Sequence, residues 1–206
     1  MSFFPMMLEL SGAPCLVAGG GQLGAHKAKL LLENGAAVTV VAPEICPELA
    51  ALSVRMVQRT VTAEDVQGML LVVDATGDAK ARELLSAACK AKHILFNSAC
   101  CADDGSAIFP AVYRQGRTVL AVSSLGASPL VSARLRDMMA AQIPDQLDRI
   151  VDAMAELRPL SRQAFSSQSQ RGAFLRCCLN MMLSISRPLN EAETKAIIEE
   201  IKEKKE

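Results

Sequence analysis

Three glycines stand in the pattern Gly19-x-Gly21-x-x-Gly24, with Gln22 and Leu23 between the last two, directly after the apolar run Pro14-Cys15-Leu16-Val17-Ala18. Such a turn can grip a diphosphate. The first glycine allows a tight turn, the second lets the backbone approach a pyrophosphate, and the third lets the next helix pack close to the strand. A helix opening at Gln22 would offer unpaired N–H groups and partial positive charge to the phosphate. The spacing predicts a dinucleotide site at Gly19, Gly21, Gln22, Leu23 and Gly24. A tight turn that binds nothing could use the same glycines, but the elements before and after it also fit.

An acid at the end of the next strand usually takes the ribose hydroxyls. That strand ends Val40-Val41-Ala42-Pro43-Glu44, so Glu44 is either the ribose ligand or a surface carboxylate. No Arg directly follows the strand, which favours NAD over NADP. The turn Asp74-Ala75-Thr76-Gly77-Asp78 is expected at the same carboxyl edge. Cys100, Cys101, Asp103 and Asp104 crowd thiols and carboxylates into one short run. The seven cysteines contain no C-x-x-C spacing and read as reduced thiols of a cytoplasmic protein, mostly small core residues. His26 and His93 are the only histidines and lack ligand spacing, so no metal site is predicted. Lys27 and Lys29 read as solvated helix residues.

The elements that must position these residues alternate. Strands are predicted at 14–18, 37–41, 54–61, 68–74 and 93–97, with helices at 22–34 and 79–92. That alternation implies parallel βαβ units. After Asn97 the pattern changes to a hairpin, 107–113 and 118–123, joined through Arg114-Gln115-Gly116-Arg117. A helix follows over 130–141, with Ser128 as its N-cap and Pro129 at its start. Residues 145–206 read as helices broken near Pro159, at 166–170 and near Pro188.

The 206 residues suffice for one α/β domain and a smaller appendage. Equal numbers of acids and bases, 22 each, leave no global field for nucleic acid or anionic membrane. Residues 1–10 lack a basic n-region and a cleavage site, and no apolar run is long enough to span a bilayer.

Taken together, the chain resembles the precorrin-2 dehydrogenase family, the NAD-dependent module of siroheme synthase, some members of which are also sirohydrochlorin ferrochelatases. The resemblance rests on Phe4-Pro5-Met6-Met7-Leu8-Glu9-Leu10, the triple-glycine turn, His26-Lys27 in place of the family's Arg-Lys, and Ala42-Pro43-Glu44. It continues through Ala75-Thr76, Asn97, Phe109-Pro110-Ala111, the run from Ala121 to Pro129, and Arg134-Leu135-Arg136. It covers residues 3 to 150 well and the helical tail loosely.

The resemblance implies a Rossmann-like parallel sheet over 1–112, a β-hairpin and helix over 113–145 that build a homodimer, and a C-terminal helical domain over 146–206. It implies NAD⁺ as hydride acceptor, with Thr76 and Asn97 beside the cofactor. It places Ser123, Ser124, Ser128 and Arg134 against the tetrapyrrole, precorrin-2 going to sirohydrochlorin, with Fe²⁺ inserted where chelation occurs. One departure matters. The family's catalytic Asp lies three residues after the Asn, and here that position is Cys100. Three outcomes stay open: Asp103 or Asp104 substitutes, dehydrogenation persists while chelation is lost, or the protein carries tetrapyrrole or metal without turnover. Losing a general base costs about 10²–10⁴-fold, and a thiol with a reference pKa near 8.5 is mostly protonated at neutral pH.

Overall fold

The computed structural model describes residues 3–101 and 104–203. Its N-terminal half alternates as the sequence predicts: β1 (Pro14–Ala18), α1 (Gln22–Glu33), β2 (Ala37–Val41), α2 (Pro47–Ala50), β3 (Arg55–Val57), β4 (Leu71–Asp74), α3 (Ala79–Lys92) and β5 (Leu95–Ser98). The five strands are parallel in the order β3-β2-β1-β4-β5. β1 is central because Cys15, Leu16, Val17 and Ala18 are all fully buried, which suits a strand covered on both faces. On one face Val17, Val38, Val40 and Val73 pack with Ala28 and Leu31 of α1. On the other, Leu16, Val41, Val72 and Phe96 pack with Leu85 and Cys89 of α3. Each large side chain buried this way contributes about 1.5–3 kcal/mol.

Helix ends follow local chemistry. Asp78 caps α3 by accepting the Lys80 N–H at 2.9 Å. Asn34 and Gly35 (φ 82°) close α1. His93, expected to start the fifth strand, is instead the left-handed C-cap of α3 (φ 55°), and the Ile94 N–H returns to the Cys89 carbonyl. The third and fourth strands are also shorter than expected, and α2 had no periodic signal in its four residues.

Residues 1–109 with 124–128 form one compact unit, and 110–123 with 129–206 form another. The second unit begins with the antiparallel pair β6 (Ala111–Gln115) and β7 (Thr118–Val122). Gln115 faces Thr118, leaving Gly116 (φ 54°) and Arg117 as a two-residue turn. A Cβ at Gly116 would lie 2.7 Å from the Asp148 Cβ, so this glycine is needed for approach as well as for φ. The helices are α4 (Pro129–Ala140), α5 (Leu147–Ala164), α6 (Gln168–Ile185) and α7 (Glu191–Glu203). Ile150, Leu157, Phe165, Phe174, Cys178, Met182 and Ile197 make their core, with the Phe165 and Phe174 rings 5.6 Å apart. The break expected near Pro159 does not occur: α5 runs through it, held by the flanking buried residues Leu157 and Ser161. Breaks do fall at 165–167 and around Pro188. No helix among the described residues is long and apolar enough to cross a membrane.

Candidate functional site

The register aligns Ala18 with Val41 on one side and with Asp74 on the other, and Asp74 with Ser98. Four strands therefore end together, and the glycine turn leaves the sheet at that edge. Gly19 has φ 120°, and a Cβ there would lie 2.4 Å from the Ala75 carbonyl oxygen. A Cβ at Gly24 would lie 2.1 Å from the Gly19 carbonyl oxygen, so α1 starts against the strand end. Gly20, outside the motif, is equally constrained, because its Cβ would meet the Glu44 carbonyl oxygen. Gly21 differs: nothing lies within 4 Å of a Cβ there. Three glycines are thus closed by protein and one is open, as a phosphate-approach position requires. Gly21 is also the N-cap of α1 and makes no side-chain cap, so Gln22 and Leu23 follow with first-turn N–H groups. These residues fit a dinucleotide.

Glu44 lies beside this turn through its backbone, and its side chain is exposed. The Cys46 N–H donates to the Gly20 carbonyl at 2.8 Å, tying the loop after β2 to the turn. The polar Gln22 side chain, the local backbone and the Cys46 side chain, in that order of effect, hold the exposed Glu48 carboxyl below its ordinary range.

On the other flank, Thr76 is fixed by the buried Asp74. Thr76 donates to Asp74 Oδ1 from its N–H at 3.0 Å and from its hydroxyl at 2.7 Å. The Asp-x-Thr spacing at a strand end is an Asx-turn signal that could have marked Asp74 in the sequence. Asn97 is buried in this same unit, its Nδ2 donating to the Ala107 carbonyl at 2.9 Å while its Oδ1 has no partner among the described residues. Asn97 thereby pins the segment before Phe109 to β5.

Cys100 and Cys101 are both exposed. The Cys101 N–H donates to Ser98 Oγ at 3.1 Å, and the Ala99 N–H to the Asp74 carbonyl at 2.9 Å. Asp103 lies outside the described residues. Asp104 faces α3, where Arg82 Nε lies 2.7 Å from its Oδ2 and the Ser86 hydroxyl donates to its carbonyl. The Nε–H is poorly aligned for a hydrogen bond, so this contact is an ion pair set by distance. Nothing in the sequence flags Arg82, because its partner is 22 positions away. Among the described residues no three His, Cys, Asp or Glu side chains cluster as a metal site.

Ser124 accepts the Ser128 N–H and donates to the Ser128 carbonyl, both at 2.9 Å, closing a small loop in the first unit. Leu125 (φ 54°) and Gly126 (φ 88°) take left-handed conformations inside it. Ser123 and the exposed Arg134 belong to the second unit. Lys27, expected in solvent, is half-buried, with Nζ 4.5 Å above the Phe109 ring, and burial lowers its pKa. Lys29 is exposed, 3.9 Å from Glu33.

Residues 6–111 match the family described as "Putative NAD(P)-binding". The siroheme synthase of Methylococcus capsulatus is 34% identical over 178 residues, covering 84% of this chain and 38% of the relative. That of Nitrosomonas eutropha is 35% identical over 179 residues, with the same coverage of each. The chain thus spans well under half the length of the curated relatives it matches. Among solved structures, a protein named SirC, precorrin-2 dehydrogenase, superposes with TM-score 0.71 at 26% identity, covering 98% of this chain and all of the other.

Proposed function

We propose that this chain, which belongs to the NAD(P)-binding family matched over residues 6–111, is an NAD⁺-dependent dehydrogenase that converts precorrin-2 to sirohydrochlorin in siroheme biosynthesis. The observation that carries the reading is the glycine cradle, closed at Gly19, Gly20 and Gly24 and open at Gly21. Similarity to siroheme synthases over 84% of the chain and to a protein named as a precorrin-2 dehydrogenase over 98% supports precorrin-2 as the substrate. NAD⁺, when bound, supplies the hydride acceptor.

The N–H groups at Gly21, Gln22 and Leu23 orient the pyrophosphate, and Glu44 accepts from the ribose hydroxyls. Thr76 and Asn97 serve the nicotinamide side, Thr76 as a hydroxyl fixed by Asp74 and Asn97 as the pin under β5. Ser123, Ser124 and Ser128 with Arg134 meet the acidic side chains of the tetrapyrrole, where charged hydrogen bonds are strongest. Cys100 occupies the acid–base position. Asp103 and Asp104 are the carboxylates nearest in sequence, and the Arg82 ion pair commits Asp104 to anchoring its loop. Dehydrogenation releases one proton and tolerates a weak base. Chelation of Fe²⁺ must remove two pyrrole protons and is lost. The protein acts as a homodimer through the 113–145 segment, and its reduced thiols suit the cytoplasm.

The decisive assay incubates the protein with precorrin-2, with and without NAD⁺, and then adds Fe²⁺. The sirohydrochlorin spectrum should appear only with NAD⁺, and no siroheme should follow. Absence of conversion at high enzyme concentration overturns the dehydrogenase reading. The exposed, adjacent Cys100 and Cys101 favour one rival, a tetrapyrrole or metal carrier. That rival requires metal affinity to fall in Cys100→Ala and no NAD⁺-dependent turnover.

A further inference from the structure

The β4 side of the glycine turn holds a buried carboxylate whose hydrogen bonds set the direction of a contact in the site. Asp74 ends β4 and is 1% exposed. β4 lies beside β1, where the order β3-β2-β1-β4-β5 passes from one half of the sheet to the other. Ligands of such sheets bind outside the strand ends at that point. Thr76 abuts the glycine turn there: a Cβ on Gly19 would lie 3.0 Å from the Thr76 nitrogen.

The partners of Thr76 fix which way its hydroxyl works. Asp74 Oδ1 accepts the Thr76 N–H at 3.0 Å, so that oxygen is an acceptor, and its 2.7 Å contact with Thr76 Oγ1 carries the hydroxyl proton. The Asp78 N–H, which can only donate, takes one lone pair of Oγ1 at 3.1 Å. A hydroxyl has one proton and two lone pairs. Thr76 therefore has no donor left in backbone or side chain, and one lone pair open on a half-buried residue. Asn97 repeats the pattern on β5. It pairs with Val73, the residue before Asp74. Its Nδ2 is spent on the Ala107 carbonyl, and its buried Oδ1 accepts nothing among the described residues. Acceptors thus mark this flank, whereas Gln22 and Leu23 at the start of α1 offer N–H groups. Phosphate oxygens suit the start of α1 and not the open lone pair of Thr76.

We propose that Asp74 is a positioning residue that holds Thr76 as an acceptor-only contact, so that the cofactor group meeting Thr76 is an N–H or O–H donor of the nicotinamide riboside half. The inference rests on the dinucleotide reading of the same edge and adds the direction of one hydrogen bond and the residue that sets it. Two groups carry this chemistry, the carboxamide N–H and a ribose hydroxyl.

Calorimetry on the full chain with NAD⁺, 3-acetylpyridine adenine dinucleotide and ADP-ribose tests this in wild type, Thr76→Val, Thr76→Ser, Asp74→Asn and Asp74→Ala. Thr76→Val should weaken NAD⁺ binding about three- to tenfold, the worth of one hydrogen bond. Thr76→Ser keeps the hydroxyl and Asp74→Asn keeps Oδ1, so both should bind far more like wild type. Asp74→Ala frees the hydroxyl to rotate and should weaken binding as Thr76→Val does. A Thr76→Val loss confined to NAD⁺ identifies the carboxamide N–H, which the acetylpyridine analogue lacks. An equal loss for all three ligands identifies a ribose hydroxyl. A loss shared by NAD⁺ and the acetylpyridine analogue but not ADP-ribose means that Thr76 donates to their common carbonyl, and it overturns the inference. So does undiminished NAD⁺ binding in Thr76→Val or in Asp74→Ala. Circular dichroism melting of each variant separates a binding change from misfolding, and the two Thr76 variants decide the matter if Asp74→Ala does not fold. Failure of wild type to bind any of the three ligands overturns the dinucleotide reading as well.

Discussion

At the scale of single residues, the glycine turn separates two jobs that a motif merges. At Gly20 a Cβ would sit 1.8 Å from the Glu44 carbonyl oxygen, and at Gly21 it would meet nothing within 4 Å. Gly20→Ala must therefore displace backbone, and overpacking of this kind costs about 1–3 kcal/mol. Gly21→Ala should melt close to wild type and yet lose dinucleotide affinity, because its methyl occupies the approach to the pyrophosphate. Thermal melts paired with NAD⁺ calorimetry check the split, and equal melting losses in the two variants would contradict it. The thiols divide as sharply. Burial pushes Cys89 and Cys178 up to about 11 from an ordinary 9.0, while Cys100 and Cys101 are exposed. Because the folded pKa is the higher one, the unfolded chain loses these protons first. Their contribution to stability is complete below pH 9 and disappears as pH climbs towards 11. A thiol reagent at neutral pH should modify Cys100 and Cys101 in the native protein and reach Cys89 and Cys178 only after denaturation. Rapid native labelling of Cys89 would refute the assignment.

At the scale of elements, α5 carries a proline in its interior and does not break. Pro159 has no N–H to give the Ala155 carbonyl, and the helix continues because the buried Leu157 and Ser161 hold both sides of it against the core. Pro159→Ala restores that bond. It also frees the unfolded chain, which offsets about 0.4–1 kcal/mol of the gain. The net stabilisation should be about 2 kcal/mol, less than the full penalty of roughly 3 kcal/mol for an interior proline. A chemical denaturation curve showing no gain would mean that the turn has adapted to the ring. The same helix shows where sequence reading reaches its limit. β1, α1, β2 and α3 were legible because apolar runs, the glycine turn and the turn Asp74-Ala75-Thr76-Gly77-Asp78 all agree locally. The path through Pro159 was not, because tertiary packing overrides a local breaker. His93 looked like a strand residue because its left-handed φ is imposed by the Schellman-type return of Ile94 to Cys89. In the candidate site the glycines were legible for the same local reasons. The Arg82–Asp104 ion pair was not, since only the fold brings α3 to that loop.

At the scale of the whole molecule, the second unit leaves an apolar face uncovered. Leu130, Val131, Leu135, Met138 and Met139 all lie on α4 and are exposed, Leu130 by 84%. β6, which packs on α4, adds the exposed Val112. Residues 130, 131, 135, 138 and 139 recur at helical spacing, so they form one stripe rather than scattered surface residues. Burying the exposed part of five such side chains recovers on the order of 5 kcal/mol. Association costs about 4–15 kcal/mol. The helix stripe alone is therefore marginal, and a stable pair of chains must bury hairpin surface as well. That requirement favours a second copy using helix and hairpin together over a small ligand or a single docked peptide. Leu135→Asp places a charge in the middle of the stripe, where an unpaired buried carboxylate is far costlier than the lost leucine. Wild type should sediment as a dimer at micromolar concentration, and Leu135→Asp as a monomer. Because Leu135 lies outside the unit that carries Gly19 to Gly24, the monomer should still bind NAD⁺. A monomeric wild type, or a dimer that survives Leu135→Asp, would remove this face from the assembly. Loss of NAD⁺ binding on dissociation would instead mean that the partner chain completes the site.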